Sequence, residues 1–153
     1  MTNCSKGAEC KSVCVLSKIL ADTYSLLLKT QNVHWNVQSC NFWDIHLMTD
    51  GHYNDLFAAI DVIAERIRMV GGKAPATFSE LASLSSFDEK ITPGADGKGM
   101  LQELLKAHEA ICKDLRDGLA SIAELNDHGT ADVLGSRLSF HEKVVWMLKA
   151  SLG

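Results

Sequence analysis

Apolar residues recur at spacings of three and four along most of this chain, in long segments separated by short polar or glycine-bearing breaks. No proline precedes Pro75 and no glycine lies between Gly7 and Gly51, so the first half of the chain permits long helices. The periodicity predicts four helices, over about residues 9–37, 42–70, 100–126 and 130–152. At ~25 residues each, they would be nearly 40 Å long, at about 1.5 Å per residue.

The residues at the predicted helix ends agree with these limits. Asn41 can cap the second helix, the glycines and proline of "GGKAP" can end it, and Thr130 can cap the fourth. Residues 71–98 are mixed in character and contain one short helical candidate, "SELASLSSF". The pattern predicts an all-α fold, a ferritin-like four-helix bundle with a short extra helix in the long crossover between helices 2 and 3.

Length and composition predict one domain over residues 1–153, since the chain has 153 residues of which 46% are hydrophobic. The net charge of -4 provides no general basic field for nucleic acid or an anionic membrane, although a local patch stays open. No apolar run approaches the ~18 residues that span a bilayer. The amino-terminal "MTNCSKGAEC" has no hydrophobic signal core, so we expect a cytoplasmic protein without membrane association.

The number of cysteines is odd and no secretion signal is present, so reduced thiols with packing roles are the default expectation. Cys10 and Cys14 are four residues apart with Cys4 close by, and a soft-metal site or a redox-sensitive bond among them stays open. The remaining two are Cys40 and Cys112.

Five potential metal ligands occur in the first two predicted helices. His34 lies near the end of the first helix, in "NVHWNV". The second helix contains His46 with Asp50, and Asp61 with Glu65, and each pair is four residues apart and therefore on one helix face. A helical wheel places the four within an arc of about 100°, beside the apolar stripe. Surface charges with two packing histidines are the alternative interpretation.

The length of the second helix decides whether one chain can complete such a site. Asp50 and Asp61 are separated by eleven residues, or ~16 Å of helix, whereas the ligands of one ion each lie within ~2 Å of it. A two-fold axis would bring His34, His46 and Asp50 of one subunit to Asp61 and Glu65 of another. Apolar residues on the same flank suit a buried interface: Leu47, Ala58, Val62 and Met69.

Other catalytic motifs are missing from the sequence. A di-iron site inside a bundle needs Glu-x-x-His on two helices, and this chain has no Glu-x-x-His. "HEKVV" at His141 lacks the second histidine of a zinc protease, and neither a Gly-rich phosphate loop nor a nucleophile elbow occurs.

The chain resembles the Dps family of mini-ferritins, the DNA-binding proteins from starved cells. The resemblance lies in "NVHWNV", "HLMTDG" and "DVIAER", and in the spacings of twelve, four, eleven and four residues between successive potential ligands. The resemblance covers nearly the whole chain and ends in "HEKVVWMLKA". It implies a hollow homo-dodecamer with ferroxidase sites between two-fold related subunits. Each site would hold two iron ions and oxidise Fe(II) with hydrogen peroxide, preferably, or dioxygen. The Fe(III) would be stored as mineral, which would protect against oxidative stress.

In such a site His34 would supply a nitrogen ligand, while Asp50, Asp61 and Glu65 would supply oxygens suited to both iron oxidation states. Glu65 would bridge the ions or anchor the tighter one. Trp35 would intercept an escaped oxidising equivalent, or else pack in the interface.

Three acids near the turn between the last two helices are candidates for the iron-uptake pore of the family, or else ordinary helix-end acids: Glu124, Asp127 and Asp132.

The lysine-rich tail that usually binds DNA in this family is almost absent. Only Lys6 and Lys11 precede the first helix body, offset by Glu9, so we expect weak DNA binding or none. Two other classes remain as alternatives. A DNA-compacting protein with little ferroxidase activity would need a basic patch, and a di-iron oxygenase would need carboxylates inside the bundle and a pocket for an organic substrate.

Overall fold

A computed structural model describes residues 8–153 of the chain, with side chains from residue 11 onward. Five helices make up this part, and no strand occurs in it. They are α1 (Ala8–Asn36), α2 (Phe42–Met69), α3 (Phe78–Leu84), α4 (Gly97–Ala123) and α5 (His128–Leu152). The predicted all-α, ferritin-like bundle with a short helix in the long crossover is confirmed.

The four long helices pack as two pairs, α1 with α2 and α4 with α5, which join through contacts between α1 and α4. The helix faces turned inward form a main core cluster around Leu16, Leu56 and Ile111. A smaller cluster lies near the α1–α2 turn and contains Val33 and Ile45. Since His34 follows Val33 and His46 follows Ile45, this smaller cluster fixes the backbone that carries both histidines.

The helix ends differ from the predictions in three places. Asn41 lies at the N-cap of α2 as predicted, but its side chain makes no capping hydrogen bond. Asp127, not Thr130, caps α5, because the Asp127 side chain accepts a hydrogen bond from the Thr130 backbone N–H. The predicted cap of the fourth long helix was therefore wrong, and Thr130 lies inside the first turn of α5. Helix α4 begins three residues early, at Gly97, because Asp96 caps it by accepting from Gly99 N–H.

The crossover is fastened to α1 by buried charges. Asp22 is fully buried and accepts hydrogen bonds from Ser86 N–H at 2.8 Å and from Lys18 Nζ at 2.7 Å. Lys29 Nζ donates to the carbonyl oxygens of Asp88 and Lys90. Because these bonds satisfy charges that would otherwise be costly to bury, they define the path of the crossover over α1.

The cysteines only partly follow the default expectation. Cys40 is exposed and Cys112 is buried, both as free thiols, but Cys14 is disulfide-bonded, so the expectation of a reduced thiol is wrong at that position. The side chains of Cys4 and Cys10 lie outside the described residues. Separately, none of the helices described here has the length and apolarity needed to cross a membrane.

Candidate metal centre

The side chains of His34 and His46 each form a hydrogen bond to the backbone of the other residue, and their rings stack. Nδ1 of His34 donates to the carbonyl oxygen of His46 at 2.9 Å, and Nδ1 of His46 donates to the carbonyl oxygen of His34 at 3.0 Å. A carbonyl oxygen only accepts, so both rings must carry their proton on Nδ1. In this tautomer Nε2 is the ring atom that can bind a metal ion.

Neighbouring rings hold this histidine pair in place. The two imidazoles stack with centroids 3.8 Å apart and planes 17° apart. Phe42 stacks on the outer side of His46 at 5.0 Å, and Tyr53 meets His34 edge-on at 5.1 Å. Thr49 Oγ1 lies 3.2 Å from Nδ1 of His34 and donates its own proton to the Ile45 carbonyl oxygen. Both rings are therefore oriented before any ion arrives.

Asp50 is oriented by two side chains on the next turn of α2. Its Oδ1 accepts a 2.8 Å hydrogen bond from the Tyr53 hydroxyl, and its Oδ2 accepts from Asn54 Nδ2 at 3.2 Å. The bond to Asp50, with a smaller effect of burial, raises the pKa of Tyr53, so the phenol remains a donor at neutral pH. Sequence reasoning missed both partners, although their spacing of three and four from Asp50 was the available signal.

Asp61 and Glu65 lie apart from the other three predicted ligands. Both are exposed, one turn from each other. Helix α2 is continuous from Phe42 to Met69, so the eleven residues from Asp50 to Asp61 span ~16 Å. Within the part of the chain that the structure describes, no three His, Cys, Asp or Glu side chains are arranged to hold a metal ion. One subunit thus pairs His34 with His46 and links Asp50 to His34 only through Tyr53. Asp61 and Glu65 lie at a separate position on α2.

The outward face of α2 also carries exposed apolar side chains, interspersed with polar residues such as Asn54. Its large side chains are 53% to 70% exposed, namely Leu47, Phe57, Val62 and Met69, and Ala58 is exposed beside them. Phe57 was not among the residues predicted for this flank. Several large apolar side chains left exposed along one helix commonly mark a surface that another protein covers.

Trp35 follows His34 directly and is 67% exposed. Exposure agrees equally with a packing role in an interface and with interception of an oxidising equivalent, so both interpretations stay predictions.

The three predicted pore acids differ in their surroundings. Glu124 pairs with Lys11 at 3.3 Å, and Asp132 is exposed. Asp127 pairs with Arg66 and accepts from Ser12 Oγ at 2.7 Å. Burial alone would raise the pKa of Asp127, but hydrogen bonds from Thr130, Ser12 and Arg66 together lower it well below its usual range. Asp127 therefore fastens α1 and α2 to the start of α5, and a role for the three acids in iron uptake stays a prediction.

Known proteins are similar to this chain in sequence and in fold. A profile of the ferritin-like domain family matches residues 14–153. The DNA protection during starvation protein 2 of Bacillus anthracis is 35% identical, over 90% of this chain and 94% of its own length. A Dps crystal structure from Bacillus brevis superposes with a TM-score of 0.93 at 28% identity, over 97% of this chain and 99% of that one. The Dps structure from Vibrio cholerae O1 has a TM-score of 0.90 at 29% identity, covering 95% and 91%, and is described as a member of a superfamily of ferritin-like diiron-carboxylate proteins.

Proposed function

The chain belongs to the ferritin-like family and, within it, to the Dps proteins, and from this premise we propose that it is a ferroxidase that detoxifies and stores iron. Membership supports iron storage as the general function. The proposal adds that Fe(II) is oxidised, preferably by hydrogen peroxide, at sites between two-fold related subunits. The Fe(III) product would be stored as mineral in a hollow dodecamer in the cytoplasm.

The observation that carries this proposal is the pair of reciprocal hydrogen bonds between His34 and His46. They assign a proton to Nδ1 of both rings and leave Nε2 as the atom that could coordinate an ion, while Asp50, one turn after His46 on α2, is held by Tyr53. Second bonds of this kind to ligating groups are the usual support of a metal site.

The remaining ligands would come from a second subunit. If two α2 helices lie antiparallel across a two-fold axis, Asp61 and Glu65 of one copy come to the histidines of the other. The exposed apolar face of α2 would be buried by the same contact. Each interface then has two equivalent sites, and nitrogen with carboxylate oxygen is a donor set that suits iron.

Two Fe(II) ions held together allow peroxide to be reduced without a free radical. Each Fe(II) gives one electron, and one H2O2 takes two electrons and two protons, so that its O–O bond breaks to yield two waters and two Fe(III). A single Fe(II) would supply only one electron and release a hydroxyl radical. Dioxygen is the alternative oxidant. The pairing of substrate ions is thus what would protect the cell.

The test is anaerobic loading of the protein with Fe(II), followed by titration with hydrogen peroxide while the absorbance of Fe(III) and spin-trapped radical are recorded. Two Fe(II) should be consumed per peroxide, with little radical. The matched control is His34→Gly/His46→Gly, which removes both fixed nitrogens. A ratio of one Fe(II) per peroxide, with as much radical as free iron produces, would exclude paired oxidation.

DNA compaction with little ferroxidase activity is the second candidate, because several relatives are named for DNA protection. The structure offers one relevant contact. Lys11, one of two lysines available near the amino terminus, is engaged by Glu124 at 3.3 Å. The paired charge is less available to a phosphate, so ferroxidase activity remains the favoured function.

A further inference from the structure

Three histidines meet inside the bundle, away from the predicted metal centre. They are His52 on α2, His108 on α4 and His141 on α5, and all three are buried. The ring centroids of His108 and His141 are 5.1 Å apart, and His52 lies 6.2 Å from His108. Sequence reasoning assigned His141 no role and did not consider the other two.

His108 and His141 share one hydrogen bond between α4 and α5. Their Nδ1 atoms are 3.0 Å apart. One Nδ1 must carry a proton and the other must present a lone pair, because two donors or two acceptors would repel. The bond therefore exists only while at least one ring is neutral. The Nε2 atoms of both rings are buried and have no hydrogen-bond partner in the described structure.

The surroundings of the pair disfavour positive charge. Arg137 of α5 lies over the Phe140 ring at 4.4 Å and bonds Asp55 of α2 at 2.7 Å. Burial, followed by repulsion from His52 and Arg137, lowers the pKa of His108 to about 3. Burial and repulsion from His108 and Arg137 also place the pKa of His141 well below its usual value.

His52 is subject to the same conditions. Burial lowers its pKa, while Asp55 acts in the opposite direction and Lys143 of α5 adds further repulsion. No carboxylate other than Asp55 contributes to the shifts of the three histidines, and Asp55 is already bound by Arg137. A proton added to the pair would thus find no counter-charge of its own.

We propose that the His108–His141 pair is an acid-sensitive switch inside the bundle, which joins α4 to α5 at neutral pH and releases them when both rings are protonated. The first proton can be shared across the Nδ1–Nδ1 bond. The second removes the last acceptor and places two cations beside Arg137 in a buried position. The switch does not depend on the proposed iron chemistry, because neither residue of the pair belongs to the predicted metal centre.

The pH range follows from the direction of the shifts. A histidine released to solvent binds a proton below about pH 6.5, whereas the buried rings do not. The open state therefore binds more protons than the closed state, and acid favours opening. The equilibrium between them should change by up to about tenfold per pH unit for each histidine, or about a hundredfold for the pair.

Cys112 provides a probe for this opening. It lies one turn after His108 on α4, is only 3% exposed and lines a groove between α4 and α5 together with Glu142 and Val145. Cys40 is exposed and serves as an internal standard. The ratio of the two modification rates reports separation of α4 from α5 and cancels most of the direct effect of pH on the reagent.

The intact protein is labelled at several pH values between 7.5 and 5 with 4,4'-dithiodipyridine, a reagent that still reacts with thiols in acid. The labelled cysteine is identified by peptide mass. Four proteins are compared in the presence of a chelator at one protein concentration. They are the unaltered chain, His108→Leu/His141→Leu, His108→Gln and the exposed-histidine control His128→Gln. His108→Gln retains a hydrogen-bonding side chain that does not titrate, so it serves if the double variant does not fold.

In the unaltered chain and in His128→Gln, labelling of Cys112 relative to Cys40 should rise steeply below pH 6.5. The rise should be about tenfold smaller per pH unit in His108→Gln and smaller still in the double variant, which retains only His52 of the three buried histidines. A ratio that does not change with pH in the unaltered chain, or rises equally in His108→Gln, would overturn the switch. A second experiment adds cobalt(II) to protein without chelator and records the absorption spectrum. A cobalt(II) spectrum that appears in the unaltered chain and disappears in His108→Gln would also overturn the switch, because the pair would then be a metal site.

Discussion

The Tyr53 hydroxyl donates a 2.8 Å hydrogen bond to Oδ1 of Asp50, one turn away on α2. The Tyr53 ring also meets His34 edge-on at 5.1 Å. One side chain thus positions a predicted ligand from each of the first two helices. If Asp50 and His34 bind iron, Tyr53 is a positioning residue that touches no ion and sets the geometry of both.

We therefore expect Tyr53→Phe to weaken Fe(II) binding by about tenfold or more, within the range usual for second bonds to metal ligands. Removal of the hydroxyl leaves Asp50 free to rotate but retains the ring against His34. The Fe(II) affinity of each variant is measured by anaerobic titration in a calorimeter. Tyr24→Phe is the matched control, since Tyr24 packs against the main core. Equal affinities in the two variants would show that the bond to Asp50 has no part in binding.

The second prediction concerns sharing of the site between subunits. His34→Gly/His46→Gly and Asp61→Asn/Glu65→Gln should each be inactive alone, because each removes ligands from every site. Shells assembled from a mixture should regain part of the activity, since some interfaces then combine the intact halves. The measurement is the rate of Fe(III) absorbance, with mixed composition verified by mass. Mixed shells without any activity would rule out the shared site.

How much the sequence could predict depends on whether a feature is local to one helix. The continuity of α2 and the outward position of Asp61 and Glu65 follow from helical spacing alone, and the structure agrees. The apposition of His108 and His141 depends instead on the axial register between α4 and α5, which periodicity does not contain. The cap at Asp127 was missed for a different reason. Thr130 and Asp127 are both residue types that cap helices, and the sequence prediction chose Thr130, although ordinary helix-end acids were the alternative given for Asp127.

The third prediction tests Asp127 as a structural residue. Asp127→Ala should lower the free energy of unfolding by about 1–2 kcal/mol at neutral pH, because it removes the cap of α5. Asp127→Asn should lower the free energy of unfolding by less, because asparagine can also cap a helix. This variant therefore isolates the loss of the ion pair with Arg66. Denaturant unfolding at fixed protein concentration provides the measurement.

The same pair of variants has a predicted pH dependence. The pKa of Asp127 is lowered in the folded protein, so its charge stabilises the fold above the unfolded value of about 3.9. That contribution decreases as pH falls below this value and is lost only in stronger acid, at the lowered pKa of the folded state. The gap in the free energy of unfolding between the unaltered chain and Asp127→Asn should therefore narrow, without closing, on acidification from pH 5 to pH 3. A gap that stays constant over this range would contradict the assignment of the stabilisation to the charged carboxylate.

The last prediction is that this protein binds duplex DNA weakly or not at all near neutral pH. DNA affinity comes mainly from neutralised phosphates and released counterions, which needs several Lys or Arg side chains acting together. Here the amino-terminal segment offers Lys6 and Lys11, and the net charge of each chain is -4. Glu124 lies 3.3 Å from Lys11 and competes with phosphate for it.

A gel-shift assay at ~0.15 M salt, where screening is near physiological, measures this directly. Glu124→Gln is the informative variant, because it frees Lys11 without adding a lysine, and any binding that appears should fall steeply with added salt. Repetition of Lys11 in an assembled shell could amplify such a weak contact through multivalency. A stable, stoichiometric complex of the unaltered protein would falsify the prediction, since the charge balance would then not determine DNA binding, and compaction would become a shared function.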